Sequence, residues 1–254
     1  MPNINSQHPR SRVSLRTGTR PSSLTSPVEG SIKIHPHDPL AESVDDNELL
    51  HQTKELSTTP PSLIEAQHPL AKHSLSRLRD LQTKRPDFRA HSHRVFSLLL
   101  ADATRDLALR EGPSGFYLAK PIVFLALGAE GLSITREAAP LLPGALVGNV
   151  GYGADSEVRL HLLHAPALSE ATVLLCDPIL RAGGQVNSAL AFLRQQGAHA
   201  VRVVTLVSAR DAAESLSRTF PGTRVFACAF DERTDDKGMP VPGIGIFPQR
   251  YHGE

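Results

Sequence analysis

Apolar positions along the chain follow two kinds of pattern, and the change between them marks a change of architecture. Leu70, Leu75, Leu78 and Leu81 recur at helical spacing and predict a helix over residues 70–82. Pro86 can open a second helix, because the first helical position has no use for its N–H. That helix carries Phe88, Val95, Phe96, Leu99, Ala103 and Leu107 on one side and is expected to end before Gly112. Short, purely apolar runs then take over, at residues 122–127, 145–150, 173–176, 201–207 and 225–230. Helical stretches such as 185–196 and 209–219 separate several of them, with Gly197 placed to close the first. Apolar strands alternating with helices predict an α/β fold: a mostly parallel sheet flanked by helices, preceded by an N-terminal helical arm. Ligands on such sheets bind at the carboxyl ends of strands, where loops lead into helices.

Before about residue 60 the pattern is absent. This stretch is rich in Ser, Thr, Pro, Arg and His. It cannot bury enough surface to offset its ordering entropy, so a disordered tail is expected over residues 1–60 and a folded domain over 61–254. Arg10, Arg12, Arg16 and Arg20, with no acid before Glu29, also fit an organelle transit peptide, whereas Pro2, Pro9, Pro21 and Pro27 interrupt an amphipathic helix. No apolar run approaches the ~20 residues of a membrane helix. A cytoplasmic protein with no membrane partner is therefore expected, with organelle import left open.

Composition adds three limits. A net charge of +1 over 254 residues argues against nucleic acid as a partner. With 40% hydrophobic residues and no Trp, the core must be filled by Leu, Val and Ala. Cys176 and Cys228 both lie inside apolar runs and read as small buried hydrophobes, not as a disulfide or a metal pair. His91 and His93 flank Ser92 and could suggest a metal pair, but without a matching Cys or acid they read as helix surface.

One strand-to-helix junction carries candidate chemistry. The run Val173, Leu174, Leu175 and Cys176 ends in Asp177, and Pro178, Ile179, Leu180, Arg181, Ala182, Gly183, Gly184 and Gln185 come after it. Consecutive glycines let backbone N–H groups converge on one point, and the next helix adds partial positive charge there, so the loop can cradle a phosphate. Asp177, just ahead of it, can accept hydrogen bonds from ribose hydroxyls. On local pattern alone, an ordinary tight turn with Asp177 as a strand-end cap fits equally well.

The junction resembles the D-P-M-L-A-T-G-G-S segment of uracil phosphoribosyltransferases. His68-Pro69-Leu70-Ala71-Lys72-His73-Ser74-Leu75 is similar to that family's opening H-P-L-x-K-H-x-L. Leu78-Arg79, Ala103-Thr104-Arg105-Asp106-Leu107 and the stretch 142–151 continue the resemblance in order. Asp231-Glu232-Arg233, Lys237-Gly238 and Val241-Pro242-Gly243-Ile244-Gly245 are similar to its closing D-E-R-x-x-x-K-G-Y-I-V-P-G-L-G-D. The resemblance runs from about residue 64 to residue 254. It implies a phosphoribosyltransferase-like fold with a C-terminal hood, usually oligomeric, so a homo-oligomer is expected. It also implies transfer of ribose 5-phosphate from phosphoribosyl pyrophosphate to uracil, with Mg²⁺ as cofactor, giving UMP and pyrophosphate. Asp177, as catalytic residue, would grip the ribose, and the loop through Gln185 would bind phosphoribosyl pyrophosphate. Pro240, Gly245, Ile246 and Phe247 would line the uracil pocket; no protein metal ligand is implied.

Several positions depart from the family pattern. Ala129 stands for the Arg of R-A-G-L, with Glu130 beside it, and Tyr152-Gly153-Ala154-Asp155 lacks the Arg of Y-R-D-P. Ala182 replaces the loop Thr, and Gly245-Ile246-Phe247-Pro248-Gln249-Arg250 replaces G-D-A-G-D-R, losing two carboxylates. Loss of one preorganised charge contact costs about 3 kcal/mol. Two functions therefore compete: an active enzyme, with Arg181 as a compensating cation, and a catalytically inactive relative that binds a nucleotide or uracil, or acts by oligomerising. A dinucleotide site at Gly128-Ala129-Glu130-Gly131 has the wrong spacing.

Overall fold

A computed structural model of the chain describes residues 62–142, 144–153, 157–162, 167–182 and 185–253, without the side chains of 136–139. The tail expected over residues 1–60 and the loop glycines Gly183 and Gly184 lie outside the described residues.

Strand β1 (Leu63–Glu65) leads into α1 (Pro69–Arg79). The His68 ring accepts the Leu70 N–H at 3.2 Å, and Pro69 opens the helix, so both ordinary start signals are present. Ala71, Ser74 and Leu78 form its buried face. Helix α2 (Arg85–Thr104) buries Phe88, Val95, Phe96, Leu99, Leu100 and Ala103.

Helix α2 stops at Thr104, eight residues earlier than the expected limit at Gly112, and Leu107 lies beyond it. The Thr104 hydroxyl donates back to the Leu100 carbonyl at 2.7 Å. The Arg105 N–H bonds Asp102 three residues back, which tightens the last turn. Asp106 then pairs with Arg202 and Arg224 from the sheet, drawing the chain off the helix path. An antiparallel hairpin comes next, β2 (Leu109–Gly112) with β3 (Gly115–Leu118). Gly112 lets the Tyr117 ring lie close over the strand, since a Cβ there would sit 2.6 Å from it and push the ring aside.

The chain then builds the sheet: β4 (Ile122–Leu127), α3 (Gly128–Ala138), β5 (Leu146–Tyr152), β6 (Val158–His161), β7 (Thr172–Cys176), β8 (Ile179–Leu180), α4 (Gln185–Gln195), β9 (Ala200–Ala209), α5 (Arg210–Thr219) and β10 (Arg224–Asp231). The spatial order is β1-β10-β9-β7-β4-β5-β6, with β8 beside β9. All these pairings are parallel except β5 with β6. The expected α/β architecture is present.

Alternation along each strand divides the core into two layers. Phe124, Leu174, Val204 and Phe226 face Phe88, Phe96, Leu99 and Ile134, so α1, α2 and α3 cover that side. Val123, Leu125, Val173, Leu175 and Val203 face Val186, Leu190, Leu193 and Leu216, so α4 and α5 cover the other. Every residue of β4 and β7 is buried, which is why both read as unbroken apolar runs. Cys176 and Cys228 are buried and free, packing as small apolar side chains.

A small antiparallel ribbon, β11 (Arg233–Thr234) with β12 (Pro240–Val241), leads to the short terminal helix α6 (Phe247–Tyr251). This helix docks on α2: Phe247 and Phe88 lie 5.9 Å apart, and the Arg89 side chain donates to the Tyr251 carbonyl at 2.6 Å. His93, expected on the helix surface, instead meets the Tyr251 hydroxyl at 2.5 Å and is half-buried. That partner arrives from 158 residues away, so no local pattern reveals it.

Phe124 sits fully buried in the central strand, against Phe96 at 6.3 Å. Phe124→Ala is expected to cost about 3–5 kcal/mol, read as a lowered midpoint in denaturant unfolding.

Candidate functional site

The junction after β7 is a built extension of the sheet. The Asp177 N–H donates to the Val204 carbonyl at 3.1 Å, and the Leu206 N–H donates to the Pro178 carbonyl at 3.1 Å. Ile179 and Leu180 then pair with Val207 and Ser208. The Leu180 N–H donates at 3.1 Å to the buried Thr205 hydroxyl, which itself donates to the Val207 carbonyl at 3.0 Å. Thr205 is thus a polar residue inside an apolar strand with every bond accounted for. After Arg181, the Ala182 N–H donates to the Gly238 carbonyl at 3.1 Å, fastening the loop to the closing segment.

Helix α3 and strand β5 deliver side chains to this point. In the first turn of α3, Gly131 is pressed on the end of β7: a Cβ there would lie 2.5 Å from the Cys176 carbonyl oxygen. Asn149 holds the preceding turn, donating to the carbonyls of Ala126 at 3.2 Å and Gly128 at 3.0 Å. The first turn of α3 thus carries half-buried Glu130 near enough for its charge to act on Asp177. From β5, the Tyr152 hydroxyl donates to the Gln185 carbonyl at the start of α4.

This packing governs the charge on Asp177. Burial raises its carboxyl from 3.8 to about 7, and the Glu130 carboxylate adds to the rise. The Ile179 N–H, 3.5 Å from Oδ1, and the Arg181 charge act in the opposite direction. Near neutral pH Asp177 is therefore divided between its two forms and can donate as well as accept a hydrogen bond. Tyr152 is also raised, by burial and then by the Asp177 charge. Arg181 itself is exposed and lines a cleft of about 320 Å³ with Asn187 and Arg218.

The four residues expected to line a base pocket are divided between interior and surface. Pro240 is buried, and Phe247 is fully buried between Phe88 and Tyr251, so its side chain belongs to the core. Gly245 is half-buried at φ 74°, and Ile246 is 55% exposed. This segment offers a ligand mainly the backbone around Gly245 and the Ile246 side chain. Tyr152, Asn149, Thr205 and Gly238 do not stand out as site residues in the sequence. Two of them do leave a trace: Asn149 and Thr205 are polar residues set within strands.

Asp177 couples stability to pH. A folded-state value above the unfolded one means that Asp177 stabilises the fold fully below 3.8, and that this contribution is lost as pH rises through about 7. Asp177→Asn should flatten this part of the stability profile, and Glu130→Gln should reduce its amplitude, both measured by unfolding from pH 4 to pH 8. Gly131→Ala places a methyl against the Cys176 carbonyl, so a lowered melting temperature is expected, by several degrees or more for a loss of about 1–3 kcal/mol.

Comparison with known proteins fixes the ancestry of this arrangement. The family profile described as uracil phosphoribosyltransferase matches residues 65–253. A protein of that name from Thermus thermophilus is 33% identical over 199 residues, covering 73% of this chain and 96% of its own length. Another from Alkaliphilus oremlandii is 32% identical over 199 residues, covering 73% and 95%. Among solved structures, the AQ2163 protein from Aquifex aeolicus superposes with a TM-score of 0.64 at 28% identity, covering 74% of this chain and 96% of its own. With the match spanning nearly all of the described sheet, the Asp177 loop and the closing segment, the chain belongs to the uracil phosphoribosyltransferase family.

Proposed function

We propose that the protein transfers ribose 5-phosphate from phosphoribosyl pyrophosphate to uracil. The bond from the sugar C1 to the pyrophosphate oxygen breaks, a bond from C1 to uracil N1 forms, the N1 proton is released, and UMP and pyrophosphate leave. The observation that carries this reading is the bond from Ala182 to Gly238, which joins the Asp177 loop to the closing segment at the carboxyl ends of the parallel strands. The loop would receive the 5′-phosphate, Asp177 the ribose hydroxyls, and the backbone around Gly245 the edge of the base. Mg²⁺ takes oxygen ligands and is commonly held by one or two carboxylates together with substrate phosphates. Glu130 and Asp177 fit that donor type, and they would hold an ion brought in with the pyrophosphate. When bound, such an ion neutralises charge on the leaving group.

A second reading, an inactive relative that binds nucleotide or uracil, is favoured by one specific feature. Where family members carry Arg, the first turn of α3 offers exposed Ala129 and acidic Glu130, whose charge acts on Asp177 and would repel an anionic leaving group. The readings separate on UMP formation from phosphoribosyl pyrophosphate, uracil and Mg²⁺. Turnover is expected in the natural chain and a loss of about 10²-fold or more in Asp177→Asn. Folded protein that binds ligand without turnover would leave the inactive reading.

We also propose that the chain forms a homo-oligomer through the β2–β3 hairpin. A lone two-stranded hairpin is marginal in water, yet this one exposes Leu109, Phe116, Tyr117 and Leu118. Phe116→Ser is expected to lower the mass measured by light scattering to that of one chain; an unchanged mass would place the contact elsewhere.

A further inference from the structure

Asp231 ends β10 with its side chain 4% exposed, and each of its oxygens has a separate task. Oδ1 meets the Arg79 guanidinium at 2.5 Å, and Oδ2 accepts the Gly243 N–H at 2.8 Å. Arg79 is the last residue of the arm helix α1. Gly243 occupies the left-handed region at φ 60°, where a Cβ would lie 2.3 Å from the Pro240 carbonyl. Just beyond it, Ile244 is buried and its carbonyl accepts Arg250 at 2.7 Å. Arg250 also donates to the carbonyls of Leu78 and of Asp80, the latter at 2.7 Å, and its guanidinium lies over the Phe88 ring at 4.2 Å. The end of the arm is therefore tied to the turn 243–245 in two ways, by Arg79 through Asp231 and by Arg250 of α6, which bridges the Leu78 and Asp80 carbonyls to that of Ile244.

Stability alone does not account for this pair. A buried ion pair gains little over well-packed apolar residues of similar size, because desolvation offsets the attraction. The Arg79 Nε is buried without a partner, so the site does not even satisfy the whole guanidinium. The pair supplies direction instead: one carboxylate fixes two groups from segments 152 and 12 residues away in sequence. We propose that Arg79 and Asp231 are positioning residues for the base-binding backbone. They fix Gly243, and through it the amides and carbonyls of Gly245, Ile246 and Phe247, without touching the ligand themselves. This inference rests on the reading of the closing segment as the base site.

The test measures hydrogen exchange at the amides of residues 243–247 in the full chain, beside calorimetric binding of uracil and, separately, of ribose 5-phosphate. Three variants separate the contributions. Asp231→Asn keeps an acceptor for Gly243 and removes the charge, Arg79→Lys keeps the charge and removes the planar fork, and Asp231→Ala removes both. Asp231→Ala is expected to speed exchange at these amides by about tenfold or more and to weaken uracil binding similarly, the scale of one charge-assisted hydrogen bond. Ribose 5-phosphate binding stays unchanged, and the other two variants fall between. Should Asp231→Ala fail to fold, the same comparison is made with the two milder variants. Unchanged exchange at 243–247, or acceleration spread evenly over the sheet, would overturn the proposal. A natural chain that binds no uracil would remove the base-site reading, and the exchange data alone would then decide whether the pair positions this turn.

Discussion

A side chain at position 131 would need space already filled by the carbonyl oxygen of Cys176. That contact, backbone against backbone, couples the start of one helix to the end of the neighbouring strand. It works because β4 and β7 run parallel in register, with Ala126 opposite Cys176, so both strands finish at the same level. The chain leaving β4 must turn directly over the end of β7, and with no Cβ in the way it does so at contact distance. Asn149 completes the arrangement by satisfying the carbonyls that the turn at Gly128 leaves unpaired. Glu130, Asp177 and Tyr152 share a neighbourhood because of this packing and not through any bond among themselves.

Legibility in the sequence follows burial on both faces for most strands, β5 being an exception that reads as an apolar run at 145–150 although it is largely half-buried. β4, β7, β9 and β10 are evident as apolar runs because helices cover them on either side. β1 and β6 lie at the sheet edges, are short and only partly buried, and produce no such run. The hairpin defeats the pattern in the opposite way: Phe116, Tyr117 and Leu118 are apolar yet exposed, and reading apolar as buried gives them no place. In the site, the Asp177 loop is visible because its parts are consecutive. Tyr152 is not, since it reaches Gln185 across a sheet whose order, β7-β4-β5, departs from the order of the sequence.

The positions that differ from the family pattern change charge at some places, as at Glu130, and side-chain size at others, as at the buried Phe247. Ala129, Glu130, Ala182 and Ile246 each sit on the surface or are partly exposed around the Asp177 loop and the closing segment. The strand residues beneath remain apolar and closely packed. A fold of this kind tolerates such changes because its stability resides in the two core layers, whereas the loops contribute mainly position. The Asp177 carboxyl holds its proton up to about pH 7 chiefly because it is buried, with the Glu130 charge adding to the rise and the Arg181 charge opposing it.

The two buried thiols give the molecule an internal clock of its own opening. Burial pushes the Cys228 thiol up to about 12 and raises Cys176 as well, so neither reacts while the structure is closed. Cys228 lies directly beneath the arm, its Sγ 3.5 Å from the Ala71 carbonyl, whereas Cys176 ends a central strand. A thiol reagent that modifies Cys228 first therefore records the arm lifting away from an intact sheet, while simultaneous modification of both records the whole domain coming apart.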